Sequence, residues 1–456
     1  MDQIEGRLLI DGVLVESETG RWADSIDPAT EEVIGRAALG SAKDMYRAIN
    51  AAERAWPAWA AREIDERAEI LRAFGDRLAE RFDEISWIEV RDSGNTLKPT
   101  LHAMDETLKT LRFYAGIAPM MRGETIPASS KHMHMTLLEP YGVVGRIAAY
   151  NHPALFSIAR TTAALAVGNA VVVKPPETSP LSVLILGEVA QEMLPPGVFN
   201  IVNGTGAEAG DALVRHPDVK RLALIGSVPT GRAIQRSAAE VAVKHVTLEL
   251  GGKNPMIVFA DADSEAAATS AVRGMNFPWQ GQSCGSNSRV LVHRDIYEDV
   301  LERITAKVAA MRLGDPMADT TDMGPINNAK SYAHVTSFFD RDQTEGARLM
   351  TGGKRPAGAE FAKGFWAEPT VYGDVTPQMR LWRDEIFGPV MSVAPWDDYE
   401  TMLADANDTT YGLSAAIWTN DITKAITTAR RLRAGSIFVN GSNTHFVGMP
   451  WGGFKN

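Results

Sequence analysis

The sequence predicts an α/β protein with two doubly wound parallel sheets and a small β arm. Three observations favour this fold class. Short apolar runs alternate with helical segments after Gly142, a second series of the same kind follows Gly251, and an isolated alternating segment precedes the first series. Apolar strands of this kind are typical of parallel sheets covered by helices on both faces. At 456 residues the chain is long enough for two or three domains of roughly 150 residues.

The segment before residue 119 predicts at least two amphipathic helices. Ser41 followed by Asp44 is typical of a helix start. Apolar residues then recur at three- and four-residue steps up to Gly94, which gives a helix one apolar face. The residues in this pattern are Ile64, Leu71, Phe74, Leu78, Phe82 and Ile85.

After Gly142 the chain has the rhythm of a βαβ fold, with strand-like runs in VVGRIAAY, AVVVKPP, VFNIVNG and RLALIG. Helices are predicted near residues 155–167, 181–193 and 208–216, and a further helix opens at Arg232. The second series has strand-like runs at PMIVFA, RVLVH, VMSVAPW, LSAAIWT and SIFVNG, with a helix near 297–311.

These patterns predict how the chain is divided. Residues 1–118 and 139–250 form one α/β domain, and residues 251–456 form the other. Between them, 119–138 fits neither pattern, and its HMHMTLL run alternates like a strand that packs on one side only. We expect this arm to cross to another subunit, and the active site to lie between the two domains.

Composition narrows the class of protein. The formal charge of −11 is spread along the chain, which disfavours nucleic acid as a partner. The N-terminus lacks a basic region followed by an apolar stretch, and nowhere do eighteen apolar residues run together, so we expect a cytoplasmic protein without a membrane partner. His132 and His134 share a strand face, but no third ligand is evident, so no metal site is predicted.

The single cysteine, Cys284, lies in GQSCGSNSR, where Gly281 and Gly285 would let a backbone approach a ligand closely. A lone cysteine is more often an inert buried thiol, but this setting also suits a nucleophile. Glu249 ends an apolar run in TLELGGKNP and could face a cleft as a general base, or be an ordinary surface carboxylate. Asn151 follows a strand and could donate to an oxyanion, or simply cap a helix.

Two glycine-containing segments are candidates for a nucleotide site. GTGAEAG, residues 204–210, misses the G-x-G-x-x-G spacing by one residue. IGSVPTG follows a strand and precedes a helix, so Gly226, Ser227 and Gly231 could present N–H groups to a pyrophosphate. Lys174 and Glu177 lie at the carboxyl end of another predicted strand, where ligands of open sheets bind, although both could be solvated charges.

The set of motifs resembles the aldehyde dehydrogenase superfamily from about residue 7 to the last residue. No single motif would suffice, but their order and spacing make chance similarity untenable. The resemblance implies a Rossmann-like cofactor domain followed by a catalytic domain. The motifs are DPAT, LEPYGVVGRI, Asn151, KPPE, GSVPTG, LELGGKNP, GQSC, GDP, MGPI, EIFGPV, NDTTYGLSAAIWT, GSIFVNG and PWGGFK.

That resemblance implies roles for the candidate residues. Cys284 would attack the aldehyde, and the Asn151 amide and the Cys284 backbone N–H would hold the oxyanion. After hydride transfer, Glu249 would activate water to hydrolyse the thioester, and it could also help to deprotonate the thiol. Lys174 completes the implied catalytic set.

The implied cofactor is NAD, with NADP as the alternative. Glu177 could accept hydrogen bonds from both ribose hydroxyls and would repel a 2′-phosphate, which favours NAD. The implied cofactor-binding residues are Lys174, Glu177, Gly226, Ser227, Gly231, Leu250, Gly251, Glu385 and Phe387.

Two departures from the family and two alternatives stay open. His152 stands where many relatives have an aromatic residue beside the asparagine, and its role is undetermined. The sequence ends soon after PWGGFK, where relatives usually continue with a tail that pairs with another subunit's arm, so the predicted dimer or tetramer lacks that support. A CoA-acylating dehydrogenase, which generally lacks the Glu249 carboxylate, and a non-catalytic protein of the same fold are the alternatives.

The substrate is predicted to be a small aldehyde, and aromatic residues on the implied passage favour a bulky apolar or aromatic one. Core packing would explain some of these residues equally well. They are Phe277, Trp279, His445, Phe446 and Trp451.

Overall fold

The computed structural model describes residues 4–339 and 345–456. Residues 1–3 of the first predicted domain and residues 340–344 of the second lie outside the described residues. The predicted α/β class with parallel sheets is confirmed. The N-terminal segment contains β1 (Ile4–Gly6), β2 (Leu8–Ile10), β3 (Val13–Val15), β4 (Trp22–Ile26), β5 (Val33–Ala38), α1 (Ala42–Ala60), α2 (Ile64–Ala79), α3 (Phe82–Ser93) and α4 (Leu97–Ile117), followed by the hairpin β6 (Thr125–Pro127) and β7 (Met133–Met135).

The first βαβ series follows the hairpin. Its elements are β8 (Val143–Ile147), α5 (Pro153–Ala166), β9 (Ala170–Lys174), α6 (Leu181–Met193), β10 (Phe199–Ile201), α7 (Asp211–Arg215), β11 (Val219–Ile225), α8 (Val228–Ala239) and β12 (His245–Glu249). The second series contains β13 (Pro255–Val258), α9 (Ser264–Gly274), β14 (Arg289–His293), α10 (Tyr297–Ala309), α11 (Ala329–Thr336), β15 (Arg348–Thr351), β16 (Thr370–Gly373), α12 (Arg380–Arg383), β17 (Val390–Trp396), α13 (Tyr399–Asn407), β18 (Ser414–Trp418), α14 (Ile422–Arg431) and β19 (Ser436–Val439).

Each series builds a seven-stranded sheet. The first has the order β12-β11-β8-β9-β10-β2-β3, parallel from β12 to β10 and antiparallel where the N-terminal hairpin β2–β3 joins its edge. The second has the order β15-β16-β17-β14-β13-β18-β19, parallel except for β15. The central strands are buried on both faces, as expected for parallel strands between helices.

Two local predictions are corrected. The helix after IGSVPTG begins at Val228, because Ser227 is its N-cap and Pro229 fits the first turn; the predicted start at Arg232 is four residues late. The helix predicted at 208–216 is a π-helical turn over Gly206–Gly210 followed by the short α7. Every residue of the arm from 119 to 139 is exposed, so the arm packs on no part of its own chain, and its packing on another subunit stays a prediction.

The predicted start of α1 is confirmed. The Ser41 side chain accepts a hydrogen bond from the Asp44 backbone, and the Asp44 carboxylate accepts one from the Ser41 backbone. The helix then buries Met45, Ala48 and Ile49 against the first sheet. Reciprocal capping therefore fixes the point at which this amphipathic helix begins.

The C-terminal end of α3 organises the chain around the candidate site. Glu89 accepts a hydrogen bond from the backbone N–H of Ala154 at 3.0 Å, and Asp92 accepts one from that of Leu181 at 2.7 Å. These carboxylates are fully buried and satisfy N–H groups in the first turns of α5 and α6. Burial raises the pKa of each to about 7. The loops that precede α5 and α6 contain Asn151 and Glu177, so α3 holds both loops in place.

None of the helices within 4–339 and 345–456 is long and apolar enough to cross a membrane. The same residues contain no group of three or more His, Cys, Asp or Glu side chains arranged to hold a metal ion.

We predict that Asp92→Ala lowers the free energy of unfolding by about 2 kcal/mol or more, because it leaves the buried Leu181 N–H and the Ser25 hydroxyl without their acceptor. Urea denaturation monitored by circular dichroism measures the change. The matched control is Asp24→Ala, at an exposed position on β4, which should stay within about 0.5 kcal/mol of wild type. Equal denaturation midpoints for the two variants would contradict the capping role.

Candidate active site

Cys284 and Glu249 meet although they belong to segments of different sheets. Glu249 is the last residue of β12 at one edge of the first sheet, and Cys284 lies in the loop before β14 of the second. The thiol and the carboxyl are close enough for each to affect the other's pKa. The predicted pair of nucleophile and base is therefore a spatial pair in the structure.

The backbone at Cys284 is held by residues of the LGGKNP motif. The Asn254 side-chain amide donates to the carbonyls of Cys284 at 2.8 Å and Ser286 at 2.9 Å. A Cβ at Gly252 would lie 2.3 Å from the Cys284 carbonyl oxygen, so only glycine permits this approach. Asn254, which the sequence interpretation did not single out, is thus the side chain that fixes the cysteine loop.

The Glu249 carboxyl has one satisfied and one unsatisfied oxygen. Oε1 accepts a hydrogen bond from the Trp451 indole at 3.3 Å, whereas Oε2 is buried and has no partner of good hydrogen-bond geometry among the described residues. Burial raises the pKa of Glu249, and the interactions with Cys284 and Trp451 oppose that rise. A carboxyl with a raised pKa can take up and release a proton nearer to neutral pH than an ordinary one.

This arrangement favours the protonated form of the Cys284 thiol. Burial raises its pKa well above the ordinary value, and the negative charges of Glu249 and Glu385 add to the rise, while Arg160 opposes it. Since the thiolate is the nucleophilic form, the thiol needs a nearby proton acceptor before it can react. The approach of Glu249 supplies one.

Asn151 lies on the loop between β8 and α5. Its backbone carbonyl accepts a hydrogen bond from the Asn95 side-chain amide at 2.9 Å, and both residues are buried. The Asn151 side-chain amide itself forms no hydrogen bond with any described residue, and its Oδ1 is buried. Because its backbone is held in place and its side-chain amide has no protein partner, Asn151 is suited to form a hydrogen bond with a ligand.

A second carboxyl, Glu385, folds against the glycines that follow Glu249. Its Oε1 accepts from the Gly252 N–H at 2.8 Å, and a Cβ at Gly251 would lie 2.0 Å from Oε2. Burial raises the pKa of Glu385 to about 7. Phe387 has a positive φ of 49° and meets the Tyr150 ring edge-on at 5.9 Å. Residues of the predicted catalytic and cofactor-binding sets are therefore neighbours.

Lys174 and Glu177 lie together at the end of β9. The Lys174 ammonium is 3.6 Å from Glu177 Oε1, and the same oxygen accepts a hydrogen bond from the Gly206 N–H. Burial lowers the pKa of Lys174, whereas the Glu177 side chain is half exposed. The GTGAEAG segment thus meets the KPPE segment, a contact that neither motif predicted.

The predicted pyrophosphate loop lies at the start of α8. The N–H of Gly226 donates to the Glu249 carbonyl at 3.0 Å, and that of Gly231 to the Ser227 carbonyl at 2.9 Å. A Cβ at Gly231 would lie 3.0 Å from the Leu250 side chain, so this glycine permits packing of the helix against the strand end. These N–H groups already have acceptors, which leaves Ser227 and the helix start to face a ligand.

The aromatic residues of the predicted passage lie in three different environments. Phe277 is fully buried in the core of the second sheet, which is the core-packing alternative. Trp279 contacts the His152 ring at 5.2 Å, and Trp451 contacts the His445 ring at 4.6 Å. Phe446 is 75% exposed.

Three residues near the site were missed by the sequence interpretation: Asn95, Asn254 and Arg160. Their partners or neighbours are distant in sequence, although Asn254 had a local signal, as a polar residue of LGGKNP. Arg160 had a weaker one, since it follows His152 and Phe156 at four-residue steps on α5.

Comparisons with known proteins show which family the chain belongs to. The model of the aldehyde dehydrogenase family matches residues 14–456. Aldehyde dehydrogenase tropH of Talaromyces stipitatus is 40% identical across 98% of this chain and 88% of its own, and a betaine aldehyde dehydrogenase of Cereibacter sphaeroides is 41% identical across 98% and 91%.

Solved structures show the same likeness. The NAD⁺ complex of an aldehyde dehydrogenase from Bacillus cereus superimposes with a TM-score of 0.95 at 37% identity, covering 100% of this chain and 92% of that one. The chain therefore belongs to the aldehyde dehydrogenase family and is an oxidoreductase that uses NAD(P)⁺ to oxidise an aldehyde to its carboxylic acid.

Proposed function

We propose that Cys284 is the nucleophile, Glu249 the general base and Asn151 the side-chain donor to the oxyanion. The strongest support is the position of the only cysteine, Cys284, beside the Glu249 carboxyl. This carboxyl is buried, and its Oε2 forms no hydrogen bond of good geometry with any described residue. The unbonded Asn151 amide is the natural third member. Lys174 belongs to the cofactor side of this site, through its contact with Glu177.

The chemistry follows from these groups. Glu249 accepts the thiol proton, and the Cys284 sulfur adds to the aldehyde carbon to give a thiohemiacetal oxyanion, which the Asn151 amide and the Cys284 N–H stabilise. When the oxyanion re-forms its carbonyl, the carbon loses a hydride and becomes a thioester. Bound NAD⁺ supplies the hydride acceptor. Glu249 passes the thiol proton to solvent and is again a carboxylate. It then takes a proton from water as the water adds to the thioester, and collapse of that adduct releases the acid and the Cys284 thiolate, which regains a proton from Glu249.

The residues around the site fit a dinucleotide. Glu177 is half exposed beside Lys174 at a strand end, which suits an adenosine ribose. Ser227 is the N-cap of α8, where an anion is favoured by the helix dipole. Gly251 leaves room for Glu385 to approach the Glu249 segment, near Phe387. We propose that residues 1–118 and 139–250 form the dinucleotide-binding domain and 251–456 the catalytic domain.

We predict that purified protein reduces NAD⁺ with aldehydes without CoA, and that Cys284→Ala lowers the rate at least about a thousandfold. Glu249 supports water rather than CoA as the acyl acceptor, since hydrolysis requires a base. Absorbance of NADH across a panel of short aliphatic, long aliphatic and aromatic aldehydes, with and without CoA, measures both points. An absolute need for CoA would support the acylating alternative, and a Cys284→Ala variant as active as wild type would refute the nucleophile.

We propose NAD as the preferred cofactor, because the Glu177 carboxylate would repel a 2′-phosphate. The ratio of kcat/KM for NAD to that for NADP should exceed about ten in wild type and fall about tenfold in Glu177→Gln. The control is Glu208→Gln, which removes a neighbouring exposed carboxylate that pairs with Arg21. A wild-type preference for NADP, or the same fall in both variants, would refute the role of Glu177.

We infer a homodimer or tetramer in the cytoplasm. The support for assembly is the apolar surface of the 119–138 arm, where Ile126, Met133, Met135 and Leu137 are between 49% and 77% exposed. Multi-angle light scattering of the purified protein, compared with a variant that carries serine at Met133 and Met135, tests whether this surface joins subunits.

The acidic, cysteine-poor composition supports the proposed location in the cytoplasm.

A further inference from the structure

The short connection between α3 and α4 lies between the loop of Asn151 and the segment that leads to Cys284. We call residues 93–96 the α3–α4 turn; they are Ser93, Gly94, Asn95 and Thr96, and all four are buried. None of them has a large apolar side chain, so hydrogen bonds rather than apolar packing hold the turn in place.

One side of the α3–α4 turn contacts Asn151 directly. The Asn95 side-chain amide donates to the Asn151 carbonyl at 2.9 Å, and both residues are buried. The preceding carbonyl, that of Tyr150, accepts a hydrogen bond from the Ser179 hydroxyl at 3.1 Å. Because peptide groups are planar, these two bonds fix the peptide planes on both sides of the Asn151 α-carbon. They therefore set the direction in which the Asn151 side chain leaves the backbone.

The other side of the α3–α4 turn contacts the segment before Cys284. The Gln280 side-chain amide donates to the Gly94 carbonyl at 2.9 Å, and the backbone N–H and hydroxyl of Thr96 both donate to the Pro278 carbonyl at 3.3 Å. Gln280 is fully buried and precedes the cysteine by four residues. The turn is thus bonded to the segments of the proposed nucleophile and of the proposed oxyanion donor at the same time.

The MGPI motif, which has no role in the proposed chemistry, supports the α3–α4 turn from a third side. Gly94 has a φ of 81°, and a Cβ there would lie 2.6 Å from the Pro325 carbonyl oxygen. A Cβ at Gly324 would lie 2.1 Å from the Gly94 carbonyl oxygen, so both positions require glycine. The Asn327 side-chain amide donates to the Ser93 carbonyl at 3.3 Å. Close backbone contacts therefore leave the turn little freedom to move.

The distance between Asn151 and Cys284 matters for the proposed reaction. A donor stabilises an oxyanion only if it lies at hydrogen-bond distance from the oxygen on which charge develops, and an error of about 1 Å can lower a rate about a hundredfold. The two residues follow strands of different sheets, so neither sheet alone sets their spacing. Within 4–339 and 345–456, no partner holds the Asn151 side-chain amide itself, so its position depends on its backbone.

We propose that Asn95 is a positioning residue for aldehyde oxidation. Through the Asn151 carbonyl it fixes where the Asn151 amide points, at the spacing from Cys284 that the α3–α4 turn sets. Asn95 acts through Asn151 and needs no contact with the aldehyde or with the cofactor. The inference rests on the proposed function, because it takes Asn151 as the donor to the oxyanion and Cys284 as the nucleophile.

The test is a double-mutant cycle on the rate constant of the first NADH formed, measured by stopped flow with saturating NAD and the aldehyde that wild type oxidises fastest. Asn151→Ala should lower this rate constant about a hundredfold or more. Asn95→Ala should lower it about thirtyfold in wild type but less than about threefold in Asn151→Ala, where no amide remains to be misplaced. Asn95→Asp, which keeps the shape and lacks the amide donor, should behave like Asn95→Ala.

Two further measurements separate positioning from a general loss of structure. Alkylation of Cys284 by iodoacetamide breaks a carbon–iodine bond and forms no oxyanion, so its rate in Asn95→Ala should stay within about twofold of wild type. The control variant is Asn200→Ala, which removes another buried side-chain amide, bonded to the Gly197 carbonyl at 2.7 Å. It should lower the urea midpoint about as much as Asn95→Ala and leave the rate of NADH formation within about twofold of wild type.

Several results would overturn the role of Asn95 while the proposed function stands. They are an unchanged rate of NADH formation in Asn95→Ala, the same fold loss with and without Asn151→Ala, an equal loss in Asn200→Ala, and a parallel loss of alkylation, which would assign Asn95 to the cysteine segment. An Asn151→Ala variant as fast as wild type would instead overturn the proposed oxyanion donor, and this inference with it.

Discussion

The approach of one thiol to one carboxyl in a water-poor cleft is the constraint on which the rest of the structure depends. Burial raises the pKa of both Cys284 and Glu249, so each holds its proton more tightly than it would in water, and each negative charge opposes the other. Cys284 and Glu249 together therefore carry little more than one negative charge. The Cys284 thiolate forms most readily when Glu249 accepts the thiol proton. The same carboxyl is then in place to exchange a proton with water.

The two sheets supply this pair from opposite sides, and small residues let them meet. Glu249 closes β12, and its carbonyl is tied by the Gly226 N–H to the loop that begins α8. Gly252 then permits the Cys284 carbonyl to approach, where Asn254 holds it. The candidate cofactor loop, base and nucleophile are thus linked through backbone contacts, so a shift in one displaces the others. The buried carboxylates of α3 stabilise the remaining loops from behind.

The sequence predicted the parts of the fold that are buried and periodic. Apolar strands such as β9 and β17 and the amphipathic α1 were evident. The strand β15, which lies at a sheet edge and is partly exposed, was missed, because an edge strand needs no continuous apolar run. Among the site residues, Cys284 and Glu249 were predicted from family motifs. Asn95 was missed because its hydrogen bond to Asn151 joins positions far apart in the sequence, and no local pattern encodes such a contact.

Intact mass measurement during turnover tests the central claim most directly. In Glu249→Gln the thiol loses its proton acceptor, so the thioester should form slowly, but it should accumulate because its hydrolysis also lacks the base for water. After reaction with NAD and an aldehyde until an equivalent of NADH has formed, the protein should be heavier by the aldehyde less H₂, with the added mass on the peptide that contains Cys284. An unmodified Cys284 peptide in protein that has produced an equivalent of NADH, or an adduct at another residue, would contradict it.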